Sequence, residues 1–209
     1  MRSVRHWTPR YVWDRTREMR YCRRHPDHPW LTPRANEILA TMLRPMDAGI
    51  EYGSGRSTRW LATRIAHLTS VEHDEDWHTD VSAALRAGGL LNVDYRLRPR
   101  DVPEDRGDES AYVRVSSEFA DRSLDFALVD GAYRDFCVRS VLPKLKSGGL
   151  LVIDNANWFL PSHSRSPRSR TVAQGPAGPV WSQVQRTLST WRTIWTCSGV
   201  WDTALYVKP

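Results

Sequence analysis

Two rhythms of apolar and polar positions run along this chain, one near 3.6 residues and one near 2, and they take turns. A helix-like stretch from about Arg10 to Arg23 comes first and is broken by Pro26, Pro29 and Pro33. "TPRANEILATMLRP" then starts a second helix, with Thr32 as N-cap, Pro33 in the first turn, and Ile38, Leu39, Met42 and Leu43 on one face. From there strands and helices alternate. "GIEYG", "HLTSVEH", "VDYRLRP", "LDFALVD" and "LLVIDN" read as strands. Between them "STRWLATRIA", "DEDWHTDVSAALRAGG" and "YRDFCVRSVLPKLKSGG" read as helices, the second with acids in its first turn and glycines at its end. Residues 100–110 form a charged loop, and 111–120 a short helix or irregular stretch. Such alternation predicts an α/β fold with a parallel sheet covered on both faces.

The end of the chain breaks the alternation. "PSHSRSPRSRTVAQGPAGP", residues 161–179, has no periodicity, and a loop of this length is expected to be a mobile lid. The helix "VWSQVQRTLSTW" follows, then "RTIWTCSG" and "WDTALYVKP", two strands joined by a tight Ser198–Gly199 turn into an antiparallel hairpin. The expected whole is a seven-stranded, mostly parallel sheet in which residues 34–209 form one domain and residues 1–33 a helical flank or lid.

Composition narrows the function classes without choosing among them. With 209 residues, 40% of them hydrophobic, the chain builds a real core. Its ten tryptophans are expected to fill core gaps or line a pocket. Thirty Lys and Arg against 24 acids give a formal charge of +6. That positive charge is mostly arginine spread from Arg2 to Arg192, which reads as a solvated basic surface before it reads as a nucleic-acid face. Cys22, Cys137 and Cys197 are far apart and lack zinc spacing, so reduced, buried thiols are expected. "MRSVRHWTPR" is not followed by the apolar segment of a secretory signal, and no apolar run approaches a membrane span. A soluble, cytoplasmic protein is the expectation.

The chemistry concentrates in "GIEYGSGRSTRWLATRIAHLTSVEHDEDW", residues 49–77. Gly53 and Gly55 remove side chains where backbone must approach a ligand. Ser54, Ser57 and Thr58 add hydroxyls, and the free N–H groups of a helix start favour an anionic group such as a carboxylate. Glu72 ends the next strand, placed to accept hydrogen bonds from two ribose hydroxyls, close to the spacing of about 20 residues seen in such units. A dinucleotide fingerprint would need a third glycine where Thr58 stands, and a P-loop would need a lysine.

The E-x-G-x-G of Glu51 to Gly55, with an acid ending the next strand, resembles the class I S-adenosylmethionine (SAM)-dependent methyltransferases, whose fold is Rossmann-like. "DFALVDGAYRDF", "LKSGGLLVIDN" and "GVWDTALYVKP" are similar to that family's fourth strand, fifth strand and closing hairpin. The resemblance implies SAM as the bound methyl donor, with Glu51 near its amino-acid end and His73 and Trp77 beside the adenosine. Asp101 or Ser116–Ser117 are alternatives for the adenine edge. Asp130, Asp154 and Asn155, at strand ends, resemble the Mg²⁺ ligands of cation-dependent, catechol-type O-methyltransferases. Those enzymes usually carry a lysine shortly after the first Asp, where this chain has Tyr133 and Arg134, expected to orient substrate and to pair with an anionic group. Asp130, or His163 in the loop, is the candidate base should no metal act. The expected partner is a small-molecule acceptor such as a sugar, a phenol or a specialised metabolite. A nucleic-acid acceptor and a non-catalytic SAM-binding role are the alternatives, no membrane is involved, and a homo-oligomer stays open.

Overall fold

A computed structural model describes residues 7–209. Two helices open it: α1, Pro9–Arg24, capped by the Thr8 side chain, and α2, Pro33–Met42, capped by Thr32, which accepts from the Ala35 N–H with Pro33 inside the first turn. Then β1 (Ala48–Tyr52), α3 (Arg56–Ala62), β2 (His67–Glu72), α4 (Glu75–Ala87) and β3 (Val93–Leu97) form the first half. A short α5 (Ala111–Arg114) leads to β4 (Leu124–Val129), α6 (Arg134–Val141), β5 (Leu145–Asp154), α7 (Pro179–Leu188), β6 (Arg192–Cys197) and β7 (Asp202–Val207).

All seven strands lie in one sheet, ordered β3-β2-β1-β4-β5-β7-β6, with β1 to β5 parallel and β7 antiparallel to both neighbours. Side chains follow the period of 2. Phe126 and Leu128 on β4, with Leu150 and Val152 on β5, pack against Leu39, Trp60 and Leu61 of α2 and α3. Ala127, Val129, Leu151 and Ile153 face Phe136, Cys137, Val138, Trp181 and Val184 of α6 and α7. This is the expected α/β architecture. Because chain order reverses between β1 and β4, a crevice opens beyond their carboxyl ends, and ligands bind sheets of this kind there.

Three details differ from expectation. The helix begun at Arg134 ends at Val141, and Leu145 already pairs with Leu124, so β5 is longer than its apolar run. Pro143 lacks the N–H needed to continue the helix. The β6–β7 connection spans residues 198–201, closed by the Ser198 N–H donating to the Trp201 carbonyl, so Ser198–Gly199 alone does not make the turn. Cys137 is buried, but Cys197 is exposed and Cys22 half-buried; all three are unpaired. Residues 161–179 make contacts of their own. Arg170 Nε donates to the Gly175 carbonyl, and the buried Ser166 hydroxyl donates to Asp202. Among the described residues no helix is long and apolar enough to cross a membrane.

Candidate functional site

The tip of β1 is built by close backbone approach. Gly53 has φ of +90°, and a Cβ there would lie 2.7 Å from the Gly131 nitrogen. A Cβ on Gly131 would in turn fall 2.0 Å from the Tyr112 hydroxyl and 2.8 Å from the Gly53 nitrogen. Two bare glycine backbones therefore meet at the switch point, and neither tolerates a side chain. Gly131 is a site residue the sequence reading missed; its only signal was the pairing of "DGAY" with "YGSG" at the ends of adjacent strands.

Two glutamates hold this loop from opposite sides. Glu51 is fully buried, and its Oε2 accepts from Thr58 Oγ1 at 2.6 Å and Ser70 Oγ at 2.7 Å. Its Oε1 has no partner. Burial pushes its carboxyl up to about 7, against the pull of the Ser57, Ser70 and Thr58 hydroxyls. Glu72 lies at the other extreme. Burial alone would raise it, but hydrogen bonds from His73, the Asp74 N–H and the Ser54 N–H and hydroxyl outweigh that and hold it at about 2. Its Oε2 accepts from Ser54 N at 2.9 Å and Ser54 Oγ at 2.8 Å, and its Oε1 from the N–H groups of His73 and Asp74 at 2.7 and 3.0 Å. The Ser54 hydroxyl is the exchangeable partner among these, since it is also shared with the Tyr95 hydroxyl at 2.6 Å.

Neighbouring positions close the loop. Thr58 also accepts from the Gly55 N–H, at 2.9 Å. Trp77 Nε1 donates to the Ser54 carbonyl at 2.8 Å, with its indole alongside Gly55. His73 Nδ1 sits 2.9 Å from Glu72. The predicted cluster Glu51, Gly53, Ser54, Gly55, Ser57, Thr58, Glu72, His73 and Trp77 is thus brought together in space. Asp101 instead receives the Ser110 hydroxyl and the Ala111 N–H, which caps the start of α5.

At the ends of β4 and β5 the predicted oxygen groups also meet, around an unexpected centre. The guanidinium of Arg134 donates from Nε to the Gly131 carbonyl (3.1 Å), and from Nη1 to the Asp154 carbonyl (2.7 Å) and Asn155 Oδ1 (3.2 Å). Its Nη2 reaches the Asp130 carbonyl at 2.7 Å and Asp130 Oδ1 at 2.8 Å. These contacts match the whole donor capacity of a guanidinium. Arg134 is therefore a fixed cation of the site, with no N–H left over for the anionic substrate group expected of it. Asp154 is buried and accepts from Thr203 Oγ1 at 2.6 Å; burial and the neighbouring Asp130 push its carboxyl well up. Asp130 is likewise raised by burial, with Arg134 pulling it part of the way back.

This donor set does not fit Mg²⁺. A hard dication needs several anionic oxygens. Here one carboxylate is ion-paired to Arg134, the amide oxygen is hydrogen-bonded to the same guanidinium, and the second carboxylate is taken by the Thr203 hydroxyl. Among the described residues no group of three or more His, Cys, Asp and Glu side chains converges as a metal cluster.

Two further predicted residues stand elsewhere. Tyr133 is buried in the core, its hydroxyl donating to the Val102 carbonyl at 2.5 Å, because its left-handed backbone (φ 47°) turns the ring inward. His163 is exposed and lines a separate cleft with Thr8, Tyr11 and Asp14.

The cavity beside Asp130, Asp154 and Asn155 holds about 470 Å³ and is closed by Arg15, Glu18, Met19 and Cys22 of α1, with Trp30 and Trp201. No residue of 161–179 lines it, so α1 is the element that covers the crevice. A second cleft of about 490 Å³, with Arg24, Arg56, Arg59 and Arg64 among its walls, shares no residue with it.

The fold is shared with solved methyltransferase structures. A methyltransferase-like protein from Silicibacter pomeroyi is 24% identical with a TM-score of 0.57, over 88% of this chain and 90% of that one. A methyltransferase from Geobacter sulfurreducens is 13% identical with a TM-score of 0.56, over 93% and 88% of the two chains. An rRNA methylase from Streptococcus thermophilus is 16% identical with a TM-score of 0.52, over 82% and 92%. At these identities the likeness is one of fold. No protein-family model matches the sequence, and no curated protein matches it.

Proposed function

We propose that the protein is a SAM-dependent methyltransferase acting on a hydroxyl of a small molecule. The observation that carries this reading is the unpartnered Oε1 of Glu51, buried beside the bare Gly53–Gly131 backbone at the switch point. A buried carboxylate oxygen without a donor is costly, and an ammonium group brought by a ligand would satisfy it. Glu51 would hold the amino-acid end of SAM, Gly53–Gly55 would give it backbone N–H groups, and Glu72 would take a ribose hydroxyl in place of the Ser54 hydroxyl. SAM supplies an electrophilic methyl group on a sulfonium. The protein's part is to hold the acceptor in line and to take its proton.

The crevice supports a small acceptor. A cavity of about 470 Å³ under α1 suits a small ligand. Nucleic acid is the weaker reading, because the arginine-rich cleft lies apart from this cavity. Arg134, in the position a metal would need, makes the reading metal-independent.

Glu51 ties this reading to pH. An ammonium ligand needs the carboxylate, so the free carboxyl near 7 must lose its proton on binding. Affinity for demethylated SAM is expected to be about tenfold weaker one unit below that value than well above it, and flat beyond it. Calorimetry at a series of pH values checks this, and Glu51→Gln should bind more weakly with no such slope. A wild-type affinity independent of pH would remove Glu51 from the ligand site. In the ligand-free protein the raised carboxyl binds a proton on folding. Its contribution is therefore lost as pH rises from 4.5 to about 7.

A further inference from the structure

Of the two acids of α1, Asp14 pairs with Arg10, whereas Glu18 has no such partner. It is 3% exposed, yet neither carboxylate oxygen has a hydrogen-bond partner. An unpaired buried carboxylate is destabilising and rarely persists without a task. The side chain lines the cavity whose floor is Asp130, Asp154 and Asn155. On the same wall the Trp201 indole N–H is also buried and without an acceptor. One unspent acceptor and one unspent donor therefore border one small cavity.

The other acids of the site are already engaged: Asp130 by Arg134, and Asp154 by Thr203. Neither oxygen is within full hydrogen-bond geometry of a partner, and only the nearby Ser198 hydroxyl and the arginines of α1 draw on the carboxyl, so Glu18 can turn toward a bound molecule at small cost. The charged and titratable groups around it are Asp14, Arg15, Arg17, Arg20, Tyr21, Cys22 and Arg24 on α1, His25 after it, Arg34 and Glu37 on α2, the Ser198 hydroxyl from the β6–β7 loop, and Asp130 and Asp154 across the cavity. Burial raises its carboxyl, with Ser198, Arg15 and Arg17 pulling it down by less. That direction suits a group that must accept a proton near neutral pH.

We infer that Glu18, carried on α1, is the general base of this site, taking the proton of a hydroxyl on a cyclic acceptor molecule, a second polar atom of which accepts from the Trp201 N–H. The inference rests on the methyltransferase reading. As the acceptor oxygen bonds to the methyl carbon, the carbon–sulfur bond breaks with its electron pair left on sulfur. The hydroxyl proton passes to Glu18 and then to water. Met19, Trp30 and Trp201 give the cavity apolar and aromatic walls, which favour a flat or cyclic acceptor such as a phenol or a sugar.

The test compares wild type, Glu18→Gln and Glu18→Asp in three measurements. Calorimetry with demethylated SAM should give the same affinity for all three; loss of binding in wild type itself would sink the methyltransferase reading and not the role of Glu18. A mass-shift screen with SAM and a panel of phenols and monosaccharides should show wild-type methylation falling roughly hundredfold or more in Glu18→Gln, with partial return in Glu18→Asp. Equal rates in wild type and Glu18→Gln would overturn the inference. The third measurement needs no acceptor: thermal unfolding across pH. A raised carboxyl costs stability as pH rises above its ordinary range, so Glu18→Gln should match wild type in acid and exceed it in mildly alkaline solution. If Glu18→Gln is instead less stable than wild type at neutral pH, Glu18 is a structural ion-pair partner of Arg15 or Arg17 and the inference fails.

Discussion

Arg134→Met is expected to lower stability by about 3 kcal/mol, a fall in Tm of roughly 6–12 °C for a domain of this size. The substitution keeps much of the side-chain volume and removes every donor that now serves Asp130, Asn155 and the carbonyls of Gly131, Asp130 and Asp154. Asp130 would be left beside Asp154 without its counter-ion, and removing one partner of a largely buried pair costs more than the pair contributes. The defect should shrink as pH falls, because the orphaned carboxyl then takes a proton. In the wild type, millimolar Mg²⁺ should leave Tm unchanged, since a ligand that does not bind the native state cannot stabilise it. A rise in wild-type Tm with Mg²⁺, or an unchanged Tm in Arg134→Met, would contradict the assignment of Arg134 as the resident cation.

The second large effect is expected at Glu72. Glu72→Ala removes the acceptor for the N–H groups of Ser54, His73 and Asp74 as well as any ribose contact. Charge-assisted hydrogen bonds contribute roughly 1.5–3 kcal/mol, so affinity for demethylated SAM should fall at least tenfold, and further if the glycine loop loses its shape. The sign in acid is also defined. Glu72 is held near 2, so its stabilising contribution is present above about 4.5 and is lost as pH falls toward 2. In Glu72→Ala that acid-dependent loss should be absent. Unchanged affinity in this variant would remove Glu72 from the ligand site.

Local chemistry made most of the fold legible in the sequence. Thr32–Pro33 marked a helix start, and Asp74, Glu75 and Asp76 marked another. Alternating apolar runs located all seven strands, and the loop with its two glycines pointed to the switch point. Long-range contacts were not legible. Glu18 lies far along the chain from Asp130, and only the packing of α1 across the strand ends brings them to one cavity. A partial signal was there, since Arg15, Glu18, Met19 and Cys22 fall at helical spacing on one face.

The engagement of Arg134 within the site was not legible for a related reason. Its five donors are consumed by backbone carbonyls and side chains that only the folded β4 and β5 ends bring into reach. Tyr133 depended on a left-handed backbone, which is uncommon outside glycine and which the residue type gives no hint of. The loop 161–179 has a composition that suggested mobility. Composition gave no hint that Ser166 and Arg170 would find partners in Asp202, Cys197 and the loop's own carbonyls.

The central claim is that the Gly53–Gly55 loop, between Glu51 and Glu72, is a SAM site, and a calorimetric titration of the folded wild-type protein with SAM at pH 8 tests it most directly. The account predicts saturable binding of one SAM per chain, with demethylated SAM competing for the same site. No binding heat from either ligand, in protein shown to be folded by its cooperative thermal transition, would contradict it.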